Sequence, residues 1–272
     1  MANVVYPNKV ISAKVKDLLT TMVNARSLMT IDTALSNKDG MIRTINTYTY
    51  TGAVERLAEG KGNTTRGAVS YVSKDYPVSV AQQAFDYVDE DAMKDSNCVD
   101  AGLKGATQLM ANDMTKGFYD ALATTDGNTS DPKELVQSVN FAKGKAISYD
   151  VIVDAISALN LEDETKVFVV IPNTWKSALR KDPDYKSARM GEVIYRGQVA
   201  TICGIPVICT KALTDKAYVM TNEAVTLFMK KDVEVEQERN ADKRLNSVYL
   251  RDYYICALTD ATKACKISEA SA

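Results

Sequence analysis

Three groups of residues have types and spacings that could do chemistry. Glu234, Glu236 and Glu238 recur at alternate positions and could supply paired carboxylates for acid–base work. Gly60, Gly62 and Gly67 sit in a polar stretch that could cradle a phosphate. Asp89, Glu90, Asp91 and Asp95 could ligate a divalent cation. None matches the chemistry it suggests. The carboxylates alternate with Val233 and Val235, the pattern of a strand wetted on one face. The glycines fit neither G-x-G-x-x-G nor the P-loop, and no helical pattern follows them. The acidic run lacks the glycine at position six and the closing bidentate glutamate of a calcium loop. It stands instead where a helix dipole favours negative charge.

The chain contains no histidine. That removes Ser-His-Asp and Cys-His nucleophile systems, imidazole proton shuttles and nearly all catalytic zinc sites. Five cysteines, Cys98, Cys203, Cys209, Cys256 and Cys265, form no C-x-x-C pair and read as small buried hydrophobes. Tyr48, Tyr50 and Tyr71 could stack bases, but without basic neighbours they read as packing aromatics on strands. The residues therefore single out no catalytic, cofactor-binding or metal site, and no cofactor. Over 272 residues the formal net charge is −2, with both signs interspersed, so there is no bulk basic field for nucleic acid. No apolar run reaches the ~18 residues of a membrane span, and the first residues lack signal-peptide character. Synthesis and use in the cytoplasm are expected.

The elements come next. The longest helical pattern covers residues 95–124, where Val99, Leu103, Ala106, Met110, Met114, Phe118 and Leu122 recur at steps of three and four. At ~1.5 Å per residue it is a rod of about 40 Å. Before it, residues 1–11 read as an extended arm and a short amphipathic helix runs from Ser12 to near Asn24. Residues 41–55 alternate in Thr, Tyr and Ile, and a second β-rich segment runs from Ala68 to about Ala81, with the glycine-rich tip between them. This hairpin has little aliphatic content and no obvious surface in its own chain to lie on. The long helix is accordingly expected to brace contacts between subunits rather than to centre a core.

After a polar loop at 124–134, a helix at 148–160 with Ser148 as N-cap, a buried strand at 166–172, a helix beginning after Asn173, a strand pair over 191–210 and a strand at 217–220 make an α/β unit around one mixed sheet. Residues 224–251 form two long strands joined by a charged turn at Asn240–Arg244. Tyr253–Ile267 supplies two final strands.

Three stretches in order resemble the major capsid proteins of tailed bacteriophages, the Hong Kong 97 type of shell fold. They are the Thr/Tyr-rich hairpin with Ala58-Glu-Gly60 followed by the long helix; Ile171-Pro-Asn-Thr-Trp-Lys-Ser-Ala-Leu-Arg180; and Gly204-Ile-Pro-Val-Ile208 leading to Phe228-Met-Lys-Lys-Asp-Val-Glu-Val-Glu236, a Tyr-Tyr strand and a Lys-Ala-x-Lys-Ile finish. The resemblance covers nearly the whole chain. It implies an α+β fold with an N-terminal arm (1–31), an extended β-hairpin loop (32–85), a peripheral domain (86–145 and 223–251) carrying a spine helix (95–124), and an axial α/β domain (146–222 and 252–272). It implies a structural protein that self-assembles, through pentamers and hexamers, into an icosahedral virion head shell. That shell would enclose double-stranded DNA without sequence-specific binding and would be assembled in the host cytoplasm, with a scaffolding protein and a portal as partners and no membrane.

An encapsulin-type compartment shell is the alternative on the same fold, and a histidine-free carboxylate-dependent enzyme is the alternative from another class. Contacts between subunits are expected at Tyr48, Tyr50, Glu59, Gly60, Lys61, Asn63 and Arg66 on the hairpin, and at Asn240, Asp242, Lys243 and Arg244 on the charged turn. Some relatives form Lys–Asn isopeptide cross-links, and Lys61 stands at the loop tip where such a lysine would be; no partner asparagine is assigned.

Overall fold

The computed structural model describes residues 25–36, 38–95, 97–126, 133–184 and 201–270. Residues 1–24 of the expected N-terminal arm, which include the helix expected at 12–24, and residues 191–200 of the expected strand pair lie outside the described residues. The strands are β1 (Thr30–Asp32), β2 (Ile42–Thr51), β3 (Ala68–Pro77), β4 (Ser79–Val88), β5 (Gln137–Phe141), β6 (Val167–Pro172), β7 (Thr201–Ile202), β8 (Ile205–Thr210), β9 (Lys216–Thr221), β10 (Val225–Asn240), β11 (Leu245–Leu258) and β12 (Ala264–Glu269).

The apolar stripe on the long helix produces what its spacing demands. The helix runs Cys98–Leu122 and buries Leu103, Ala106, Met110, Met114, Phe118 and Leu122. Its first half packs on a four-stranded sheet of order β1-β10-β11-β4, where Leu103, Ala106 and Met110 meet Val235, Val248 and Leu250. Its second half, Met114, Phe118 and Leu122, joins a larger cluster with Leu227, Met229 and Tyr254 of that sheet and Phe168, Val170, Tyr218 and Met220 of a second one. The expectation that this helix serves contacts between subunits instead of a core is corrected here. Its buried face is covered by its own chain, and it is the seam along which two sheets join.

The second sheet has the order β5-β12-β9-β6-β8-β7. Strand β6, VFVVIP, is buried at every residue, as a run apolar on both faces must be. Its even positions, Phe168 and Val170, face the long-helix cluster. Its odd positions, Val167, Val169 and Ile171, pack with Ile152, Ala155 and Ile156 of the helix Tyr149–Ala158. Ser148 has N-cap dihedrals but no capping side-chain bond. Asp182 takes that role, its Oδ2 accepting from the Tyr149 amide at 2.8 Å.

Three strands differ from the sequence reading. Residues 79–88 form β4, paired antiparallel with β11 from Ser79↔Tyr254 to Val88↔Leu245. Strand β11 continues through Asp252 and Tyr253 to Leu258 without a break. Residues 137–141 form β5, parallel to β12. The acidic run begins a separate six-residue helix, Asp89–Lys94.

The cysteines also depart from expectation. All five are free, but only Cys265 is fully buried. Cys203 is exposed in the β7–β8 turn at φ 51°, with its sulfur 3.1 Å from the Tyr149 hydroxyl.

Candidate assembly surfaces

Strands β2 and β3 pair over ten residues each, from Ile42↔Pro77 to Thr51↔Ala68, and join no other strand among the described residues. Only Tyr76 of the twenty is buried. The root of the hairpin is held by its own chain. Tyr76 stacks on Phe228 at 5.1 Å and lies in a cluster with Leu35, Val78 and Ala257 on the sheet face away from the long helix.

Directly opposed residues point to the same side of a ladder. Tyr76 therefore shares a side with Arg43, its partner, and with Ile45. Tyr48, Tyr50, Val69 and Tyr71 share the other side, at the far end, and are 65–70% exposed. Between that patch and the Ile42–Pro77 pair at the root, that side is polar and internally satisfied. Thr44 donates to Asp75 at 2.6 Å and Ser73 to Asn46 at 2.7 Å. The hairpin thus rests on its own chain at its root, through Tyr76, and presents an aromatic patch from the other side at its far end. Tyr50 lies over the strand ends, where an added Cβ at Gly52 would come within 2.7 Å of its hydroxyl oxygen and one at Gly67 closer still.

Beyond the strands, Glu59, Gly60, Lys61, Asn63 and Arg66 are all exposed. Gly60 adopts φ 77° in a turn closed by the Lys61 amide on the Ala58 carbonyl at 3.0 Å. Glu55, which no local sequence pattern signals, organises the rest. Its Oε2 accepts from the Thr64 amide at 2.8 Å, and its Oε1 accepts from the Thr64 hydroxyl at 2.7 Å, the Thr65 amide at 2.8 Å and the Thr65 hydroxyl. The hydroxyls of Thr65 and Thr64, with the Thr64 amide, hold the Glu55 carboxyl down at about 2.

The β10–β11 turn carries the second expected group. Asn240, Asp242, Lys243 and Arg244 are exposed, and the Asn240 side chain accepts from the Lys243 amide at 3.2 Å. Arg244 is tied inward: at φ 52° it pairs with Glu90 at 3.0 Å and its carbonyl accepts from the Asp89 amide at 3.0 Å. Asp89 also takes Asn246 at 2.7 Å and Arg239 at 2.8 Å, and these two hold its carboxyl below the usual range. The acidic run that sequence assigns to a helix dipole is therefore also a lock on this turn.

The candidate carboxylate row has structural partners. Glu234 pairs with Lys231 at 2.8 Å, Glu236 with Arg251 at 2.7 Å, and Glu238 accepts from the Tyr249 hydroxyl at 3.3 Å. A groove of about 770 Å³ lies between β4 and the long helix, lined by Val80, Leu109, Asp113, Lys116, Tyr254 and Cys256. Tyr254 donates to Asp113 at 2.8 Å. Burial, then the nearby carboxylates, pushes the Cys256 thiol up to about 12 and the Tyr254 phenol higher still. Both are neutral at physiological pH, so neither is an activated nucleophile. Among the described residues no three His, Cys, Asp or Glu side chains form a metal cluster.

The arrangement is one of helices on a mixed sheet, a second sheet beside it and a hairpin that extends from them. Solved structures with this arrangement include the capsid of cyanophage P-SCSP1u (13% identical, covering 90% of this chain and 87% of that one, TM-score 0.70). They also include the mature capsid of bacteriophage PhiM1 (10% identical, 92% and 89%, TM-score 0.72) and a virus-like particle from Pyrococcus furiosus (9% identical, 96% and 98%, TM-score 0.64). At these identities the likeness is one of fold. No curated protein sequence matches. The profile of the phage capsid family matches residues 9–265, and the chain belongs to that family. It is a major capsid protein, the structural subunit of an icosahedral shell.

Proposed function

We propose that the shell encloses double-stranded DNA and that the hairpin β2–β3 is the extended loop through which each subunit lies on the next. Membership of the phage capsid family supports the first part, and the single observation that carries the second is the hairpin itself. It projects an aromatic patch, Tyr48, Tyr50, Val69 and Tyr71, from the far end that its own chain leaves uncovered. Exposed rings in that number lose free energy to water until another surface covers them.

On this reading Cys98–Leu122 is the spine helix, and the four-stranded sheet belongs to the peripheral domain. The six-stranded sheet with Tyr149–Ala158 is the axial domain that gathers at the five- and six-fold axes. The turn Asn240–Arg244 meets neighbouring capsomers, with Asp242 and Lys243 the side chains free to do so. The subunit works by association, not by catalysis. A scaffolding protein and a portal are its assembly partners in the host cytoplasm, and many modest contacts are multiplied by closed symmetry.

Electron microscopy and size exclusion test the reading together. Wild-type subunits form closed shells that protect DNA from nuclease. Deleting residues 56–67 leaves a folded subunit that does not close them; normal shells from the deletion overturn the assignment of the hairpin. A virus-like particle is among the structures of this fold, and the second reading is a compartment shell that encloses protein instead of nucleic acid. Particles that carry a stoichiometric protein and no nuclease-resistant DNA establish that reading.

A further inference from the structure

The sixteen residues between Thr51 and Ala68 form no strand or helix. A loop of that length in water is expected to sample many shapes. Here one carboxylate gathers two amides and two hydroxyls from adjacent threonines, so Glu55 and Thr64–Thr65 close the inner loop 56–63 at its neck. The turn at Ala58–Lys61 folds the inner loop back on itself. The bonds cross the loop, and the side chain that makes them is not part of either strand.

The clasp also sorts the charges of the tip. Glu55 spends its carboxylate on internal donors, while Arg56, Lys61 and Arg66 remain exposed with Glu59. The free end of the hairpin thus offers a net cationic, already shaped loop.

We propose that Glu55 is a positioning residue for shell assembly: by clasping Thr64 and Thr65 it holds the tip in its docking shape before the tip meets another copy of this chain. The proposal rests on the reading that the tip contacts a neighbouring subunit. A loop shaped in advance does not lose its conformational freedom at the moment of contact, so more of the contact energy appears as association.

The full-length free subunit supplies the first readout. Trypsin cleavage after Arg56 and Lys61 requires the inner loop to open, so its rate follows the open population. Glu55→Ala is expected to raise cleavage at both sites by about ten-fold, leave cleavage after Lys243 in the distant β10–β11 turn unchanged, and leave the melting temperature unchanged. The double variant Thr64→Val/Thr65→Val keeps the carboxylate but loses both hydroxyls and is expected to behave as Glu55→Ala. Thr64→Ser/Thr65→Ser keeps the hydroxyls and is expected to behave as wild type.

Light scattering and electron microscopy supply the second readout, with initial assembly slowed by about ten-fold in the two open-loop variants. Cleavage of Glu55→Ala within two-fold of wild type overturns the clasp, whatever assembly does. Faster cleavage with normal assembly overturns instead the reading that the tip is a contact, and with it the role of Glu55.

Discussion

Tyr48 and Tyr71 face each other across the β2–β3 ladder, ring centroids 6.1 Å apart, and each is about two-thirds exposed. A cross-strand aromatic pair contributes roughly 0.2–1 kcal/mol to the hairpin that carries it. That is too little to account for two large rings held in water. Replacing both with serine should leave the thermal unfolding of the isolated subunit within about 1 °C, because neither ring touches the cores that set it. Shell formation should require a higher subunit concentration, about ten-fold or more for ~1.4 kcal/mol lost per contact. Sedimentation across a concentration series reads the shift.

The long helix makes the opposite case. Phe118 is fully buried, edge-on to Tyr119 at 5.0 Å, in the cluster that joins the two sheets. Phe118→Ala is expected to cost about 3–5 kcal/mol of subunit stability. Leu109, on the same helix but 54% exposed toward the groove, should cost no more than about 0.5 kcal/mol as alanine. Chemical denaturation of both variants checks whether the helix is core to its own chain, as its contacts require. Equal losses would contradict it.

These two cases show what the sequence made legible and what it did not. A one-sided stripe at helical period and a Thr/Tyr alternation with a glycine-rich tip are local signals, and they located the long helix and the hairpin. Strand β4 was hidden because its Ala–Gln–Gln–Ala middle has weak strand propensity and is held by pairing with β11, some 170 residues away. Strand β5 was hidden for the same reason, its partner β12 lying far along the chain. Asp252 fell in the gap between two expected strands; it is a buried carboxyl in mid-strand. Of the candidate assembly surfaces, the resemblance singled out Tyr48, Tyr50 and the tip, while the Glu55 clasp and the Asp89–Arg244 lock depend on partners that no spacing reveals.

Two glycines of the long helix should respond to alanine with opposite sign. Gly105 has no heavy atom within 4 Å of a would-be Cβ, so Gly105→Ala gains helix propensity and should stabilise by about 0.5–1 kcal/mol. At Gly102 the added carbon would come within 2.7 Å of the Phe85 ring. That ring lies against the cluster of Leu103, Ala106 and Val248. Gly102→Ala must displace it and should destabilise by about 1–3 kcal/mol despite the same propensity gain. Thermal melts of the two variants settle the sign.

Asp252 gives a pH dependence. It is 1% exposed on β11, beside the point where β10 loses register between Lys231 and Glu234. Burial raises its carboxyl to about 6, opposed by the Tyr253 amide at 2.8 Å and by Arg26, and reinforced by Asp232. An acid whose folded pKa exceeds its unfolded value binds its proton more tightly in the folded state. Its contribution to stability is therefore fully present below the unfolded value of 3.8 and is lost as pH rises to about 6. Above that the folded subunit carries a buried charge costing up to about 3 kcal/mol, roughly two units at 1.36 kcal/mol each. Asp252→Asn keeps an acceptor for the Tyr253 amide and removes the charge. It should raise the melting temperature at pH 7 to 8, with the gain shrinking steadily between pH 6 and pH 4. A gain that is independent of pH would mean that another group sets the dependence.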